Sequence, residues 1–275
     1  MVKIALGVIS VERNPWSLIK DEAQAPLFLR QMSNEVTPFW LFGREATSGE
    51  SSVLRRADSR ISRDVIFQHM DRFLGARPVW RRPGKASNAL RDLVGEYSRS
   101  RVMRIGQDLY FDIPEAFSTI GIKTIWFLKY LLESDEYTHF FRTNISSYVD
   151  FQRLARFVLE SDPHFAAVNV KFGGQNIPSG AGILLSQLTA LRILRHEGDW
   201  NHGYVDDVAL GLLMTSLGSL GPSNLSRFDF HPSESTAGEA QESVVESATN
   251  FHWRCKSKNP SVTIQRMLQL QEALG

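Results

Sequence analysis

Asp206 and Asp207 are adjacent carboxylates in the segment WNHGYVDDVALG (residues 200–211), between a polar aromatic turn and an apolar run over 208–214. Neighbouring like charges repel, so a chain seldom keeps two beside apolar residues unless a cation or a proton transfer uses them. A helix beginning near Asp207 gives Asp206 an N-capping role worth about 1 kcal/mol, which accounts for one acid. The other, preceded by His202 and Tyr204, is left for chemistry. A carboxylate at the mouth of a site can take the proton of a hydroxyl nucleophile, the task of a general base.

Three further groups could share such a site. Ser179, Gly180, Ala181 and Gly182, within PSGAGILLS (178–186), form a small-residue turn that lets backbone approach a sugar, a phosphate or an acceptor. The same residues also suit a plain strand-to-helix connection. Neither a G-x-G-x-x-G fingerprint nor a G-x-x-x-x-G-K-[ST] loop is present, so a dinucleotide fold and a P-loop have no support. Arg142, Thr143, Asn144, Ser146 and Ser147 follow a short strand and offer one cation and four neutral hydrogen-bonding groups. They fit either a strand-end turn or the recognition of hydroxyls or a base edge. They do not suit a hard divalent cation, which prefers carboxylates. His252, Arg254 and Lys256 alternate and so share one strand face, with Phe251, Trp253 and Cys255 expected to be buried on the other. A basic face held that way could clamp a diphosphate.

Composition limits the functional classes. Apolar residues make up 43% of the chain and charged residues 22%, ordinary for a globular protein, and 275 residues suit one α/β domain over 1–275. With 31 basic and 30 acidic residues, bulk charge gives no reason to expect nucleic acid or an anionic membrane. Basic clusters at 77–85 and 99–104 read as solvated faces, and the first could also meet a phosphate. The single cysteine, Cys255, excludes an intrachain disulfide and multi-cysteine zinc sites. The apolar stretch 116–132 is interrupted by Lys123 and Lys129, so no integral membrane segment is expected, and the reading is a soluble, cytoplasmic protein.

The elements that must position these residues follow from hydrophobic patterning. Residues 3–10 read as a strand buried on both faces, 16–32 as a helix, and 37–42 as a second strand: a βαβ unit, hence a parallel sheet. Residues 44–100 read as a variable, lid-like segment with a loop at 47–52 and a helix over 62–74. Strands are expected at 101–111, 138–142, 166–172 and 251–258, and helices at 120–133, 150–159, 185–196, 207–217 and 260–274. The Ser-, Glu- and Gly-rich segment 222–246 reads as a flexible loop. The fold class is therefore α/β, a mixed and mostly parallel sheet with helices on both faces.

The order of these segments resembles the GT-A-fold glycosyltransferases of the β-1,3-galactosyltransferase and fringe group. FDIPEAF (111–117) with Ile122, Lys123 and Thr124 is similar to the group's acidic and aromatic segment before a helix. Residues 140–144 (FFRTN) fall where the group carries its metal-binding Asp-x-Asp, 179–186 is similar to its small-residue turn, and 205–211 to its acidic segment. The resemblance covers the middle third to half of the chain. It implies transfer of a sugar from a nucleotide-sugar donor, UDP-linked by expectation, to a hydroxyl acceptor on a glycan or a protein-linked sugar. It implies inversion, Asp207 as base with Asp206 beside it, and donor contacts from Lys123, Arg142, Thr143, Asn144, Ser146, Ser147, His252, Arg254 and Lys256. Ser179, Gly180, Ala181, Gly182, His202 and Tyr204 would line the sugar or acceptor pocket. The group uses Mn²⁺ or Mg²⁺, but Arg142-Thr143-Asn144 replaces Asp-x-Asp here, leaving only Asn144 and His252 as metal ligands. The alternatives are a catalytically degenerate protein that binds a carbohydrate or nucleotide-sugar, and a nucleotidyltransferase.

Overall fold

Strand β1 (Ile4–Ile9) is buried at every position, as an unbroken apolar run requires of a strand covered on both faces. Its side chains alternate between two cores, Ala5 and Ile9 in one and Ile4, Leu6 and Val8 in the other. The computed structural model describes residues 1–74, 83–172, 175–218, 223–226, 228–230 and 250–274.

The strands are β2 (Val36–Arg44), β3 (Val102–Ile105), β4 (Asp108–Pro114), β5 (His139–Asn144), β6 (Ser147–Val149), β7 (Phe165–Phe172), β8 (Gln175–Ser186), β9 (Ser223–Asn224), β10 (Phe228–Asp229) and β11 (His252–Arg254). Eight of them form one sheet in the order β3-β4-β2-β1-β5-β8-β7-β9, and β10-β11-β6 form a second. In the large sheet six strands run one way and only β3 and β8 oppose them. The mixed, mostly parallel α/β architecture is therefore present.

Helices cover both faces. On one side α1 (Trp16–Ile19), a π-helical stretch (Lys20–Gln24), α2 (Ala25–Gln31), α6 (Phe151–Ser161) and α9 (Pro260–Leu274) contribute Ile19, Phe28, Leu154, Met267 and Leu270 to one core. On the other, α3 (Ser48–Leu74), α4 (Lys85–Val94), α5 (Ile120–Leu132), α7 (Gln187–Arg195) and α8 (Asp206–Ser216) contribute Leu54, Leu90, Phe127, Ile193 and Leu213. Fully burying a side chain of this size contributes about 1.5–3 kcal/mol.

Four expectations need correction. Within the segment 44–100, the helix expected over 62–74 is present and begins earlier, at Ser48. A capping box, in which Thr47 N–H donates to Glu50 and Glu50 N–H to the Thr47 hydroxyl, starts α3 where a loop was expected. The strand expected over 101–111 is a hairpin, β3 and β4, turning at Gly106 with φ of 60°. The segment 178–186 is not a strand-to-helix turn but part of β8, paired with β5 on one side and β7 on the other. The strand expected at 251–258 shrinks to His252–Arg254 in the small sheet. The loop expected at 222–246 lies mostly outside the described residues.

Candidate active site

The chain leaves β1 towards β2 on one side and later returns to lay β5 on the other, so β1 marks the switch point of the sheet. Ligands of open α/β sheets bind beyond the carboxyl ends of the strands at such a point. There the chain places Ser10 after β1, Arg44 ending β2, Glu115 after β4 and Asn144 ending β5. β8 reaches the same edge by a local departure from pairing. Ala167 faces Ile183 and Asn169 faces Pro178, so Ser179–Gly182 bulge from the β7 ladder while Gly182 still pairs with Thr143.

This bulge meets Asp207 directly and Asp206 through Arg142. Arg142 Nη2 lies 2.6 Å from Asp206 Oδ2, and Arg142 Nη1 donates to the Gly180 carbonyl at 2.7 Å. Gly180 N–H donates to Asp207 Oδ2 at 2.9 Å, and Val208 N–H donates to Asp207 Oδ1 at 2.8 Å. A Cβ on residue 180 would stand 2.5 Å from Arg142 Nη1, so a side chain there would have to displace the guanidinium. Val205, not Asp206, is the N-cap residue of α8, and it makes no side-chain capping bond. Asp206 is therefore an ion-pair partner rather than a cap, and both acids occupy the first helical turn, where the helix dipole favours negative charge. The Asp207 carboxyl is pushed up to about 6, first by burial and second by Asp206, against Gly180 N–H and Arg142, which draw it down.

A second buried ion pair adjoins the first. Lys123, fully buried in α5, donates to Glu115 Oε1 at 2.6 Å, and Glu115 Oε2 accepts Gly43 N–H at 2.8 Å. Burial lowers the Lys123 ammonium below its ordinary range against the pull of Glu115, and the group also feels Arg142 and Asp206. Sequence reading missed Glu115 as the partner of Lys123. Its only signal was its place in FDIPEAF, because its partner lies beyond a turn and inside a helix.

Several expected site residues are engaged elsewhere. Asn144 Oδ1 accepts from Ser146 N at 3.2 Å, Ser146 Oγ at 2.9 Å and Ser147 Oγ at 3.1 Å, closing a turn on itself. Thr143 Oγ1 donates to the Ala181 carbonyl at 2.6 Å and lies 3.4 Å from His252 Nε2. His252 is buried under Gly182, whose added Cβ would meet the imidazole at 2.9 Å. Arg254 is half-buried and Lys256 lies exposed past the end of β11, so the three do not form an exposed basic face. The reason is that strand β11 sits between β6 and β10 with both sides packed. His202 stacks on Trp200 and lines a separate cavity of about 550 Å³ with Arg91, Trp126 and Lys129. None of Ser179–Gly182 borders that cavity, and burial brings His202 down to about 3, neutral at physiological pH. Tyr204 packs against Ile177, Val208 and Leu212.

The donor set does not fit a divalent cation, which needs several available oxygens. Asp206 holds Arg142, both Asp207 oxygens accept backbone N–H groups, and Asn144 Oδ1 is triply engaged. Among the described residues no three His, Cys, Asp or Glu side chains group as a metal site. Also among them, no helix is long and apolar enough to cross a membrane. No protein-family model matches the chain, and no curated protein sequence matches it.

Proposed function

We propose that this chain is a GT-A-like glycosyltransferase that moves a sugar from a nucleotide-sugar, UDP-linked by expectation, to a hydroxyl acceptor with inversion. The observation that carries the reading is the convergence of Asp206 and Asp207 with Arg142 and Gly180 at the carboxyl ends of the parallel strands. Asp207 removes the acceptor proton as the acceptor oxygen attacks the anomeric carbon. The bond from that carbon to the diphosphate oxygen breaks, and the nucleoside diphosphate leaves with the electron pair. The N–H groups of Gly180 and Val208 fix the orientation of the carboxylate. An acid raised to about 6 stays mostly ionised near neutrality yet is a better base than an ordinary aspartate. Donor contacts by Thr143, Asn144, Ser146 and Ser147 lose support, since these groups bond to one another or to backbone.

A binding protein without catalysis is the second reading, favoured by one observation. Arg142, the cation nearest the acids, is already held by Asp206 and the Gly180 carbonyl. Thermal-shift screening of UDP- and GDP-sugars, followed by product analysis with hydroxyl acceptors, separates the two. Transfer that disappears in Asp207→Asn supports the enzyme. Stabilisation by a donor, with wild type and Asp207→Asn equally inert, supports the binding protein. A nucleoside monophosphate found attached to the acceptor would refute glycosyl transfer in favour of nucleotidyl transfer.

A further inference from the structure

We infer that Arg142 is the resident cation of this site, standing where a divalent ion would otherwise bridge the acids, so that the chain neither binds Mn²⁺ or Mg²⁺ there nor needs them to hold its donor. The donor half of this inference rests on the glycosyl-transfer reading; the metal half does not.

The geometry carries it. Arg142 lies two residues before the end of β5, beside the bulge of β8, and is only 5% exposed. Its two terminal nitrogens reach different elements, Nη2 the first turn of α8 through Asp206 and Nη1 the β8 bulge through Gly180. Bridging groups on separate elements is what a bound cation does in an acidic site. The guanidinium does it permanently, because it does not lose its proton in a protein. A divalent ion at the same acids would face this fixed positive charge at close range in a poorly solvated place, where repulsion is strong. To admit the ion, Arg142 would have to give up Asp206 and Gly180 and leave a buried charge without partners. The other candidate ligands are already partly engaged. Asp207 is bound at both oxygens, and Asn144 Oδ1 accepts three donors of its own turn. Gly180 belongs to the same device, since any side chain there would collide with Arg142 Nη1.

The test is a Mn²⁺ titration of the full chain, with free Mn²⁺ read from its paramagnetic resonance signal, on wild type, Arg142→Lys, Arg142→Gln and Asp206→Asn. Wild type and Arg142→Lys are expected to take up no stoichiometric Mn²⁺. Arg142→Gln frees Asp206 beside Asp207 and should bind Mn²⁺ at least about tenfold more tightly. One equivalent of Mn²⁺ on wild type, lost in Asp206→Asn, overturns the inference. A folded Arg142→Gln with no gain over wild type overturns it too. If Arg142→Gln does not fold, the wild-type and Asp206→Asn titrations still decide. The same proteins are melted with a nucleotide-sugar panel in EDTA and in Mn²⁺. Equal stabilisation in both supports the inference, and stabilisation only with Mn²⁺ overturns it while leaving glycosyl transfer standing. A panel without effect in either buffer removes the transfer reading, and the Mn²⁺ titration still rules on Arg142.

Discussion

At the scale of single residues, Asp207 sets chemistry against stability. Its carboxyl sits near 6 in the folded chain against an ordinary 3.8, so the folded state holds its proton more tightly. Stability from this group is thus fully present below the unfolded value and is lost as pH rises through about 6. Asp207→Asn does not titrate, so its urea midpoint should improve relative to wild type between about pH 4 and pH 7. A difference that stays flat across that window contradicts the raised value. If Asp207 is the base, kcat/KM should rise with pH through about 6, and Asp207→Asn should lose roughly 10²–10⁴-fold in rate. A variant that gains stability and loses rate has the profile of a functional acid rather than a structural one.

At the scale of elements, the position of Asp207 depends on how α8 lies against β8. Gly211, one turn beyond the acids, packs against Pro178, and a Cβ there would stand 2.7 Å from Pro178 Cδ and 3.1 Å from Ile177 Cγ2. Gly211→Val should therefore push α8 off the sheet and cost about 1–3 kcal/mol by overpacking, read from denaturant unfolding. It should also lower activity beyond the loss of folded protein, because Asp206 and Asp207 move with the helix. A variant of wild-type stability and rate would show that the α8–β8 contact yields freely. The bulge at Ser179–Gly182 is the matching device on the strand side, since it turns Gly180 towards Arg142 and Asp207.

At the scale of the whole molecule, the two buried ion pairs fasten the ligand end of the sheet. Lys123 comes from α5, Glu115 from the turn after β4, and Gly43 N–H from β2, so one interaction fixes three parts of the chain. Lys123→Met would leave the largely buried Glu115 carboxylate without its cation. The expected loss is about 3–5 kcal/mol, measured by urea unfolding near neutral pH. Changing both, Lys123→Met with Glu115→Gln, should recover much of that loss, because no buried charge is then left alone. Equal losses in the single and double variants would mean that packing, not charge, dominates there.

Much of the frame was legible in the sequence. β1, β2, α5, α6, α8 and α9 announce themselves by apolar runs or helical spacing, a local signal that burial on one or two faces writes into composition. α3 was missed at its start because its buried stripe, Leu54, Ala57 and Ile61, is narrow within a polar sequence. The segment 178–186 was misread because serine and glycine favour turns, whereas pairing with β5 and β7 overrides that preference.

The sequence by itself determined that two acids stand together at a helix start and that the layers alternate strand and helix. Only the tertiary structure decided what those residues do to one another. Arg142 and Gly180 are 38 positions apart, and Gly180 and Asp207 are 27 apart. Such contacts leave no periodicity in the chain, because they are made by a bulge and a helix end brought together by sheet order. The same closure turned Asn144 inwards, buried His252 under Gly182 and gave Asp206 a cation. Periodic burial is a local property that one sequence records, while charge pairing depends on distances that only folding sets.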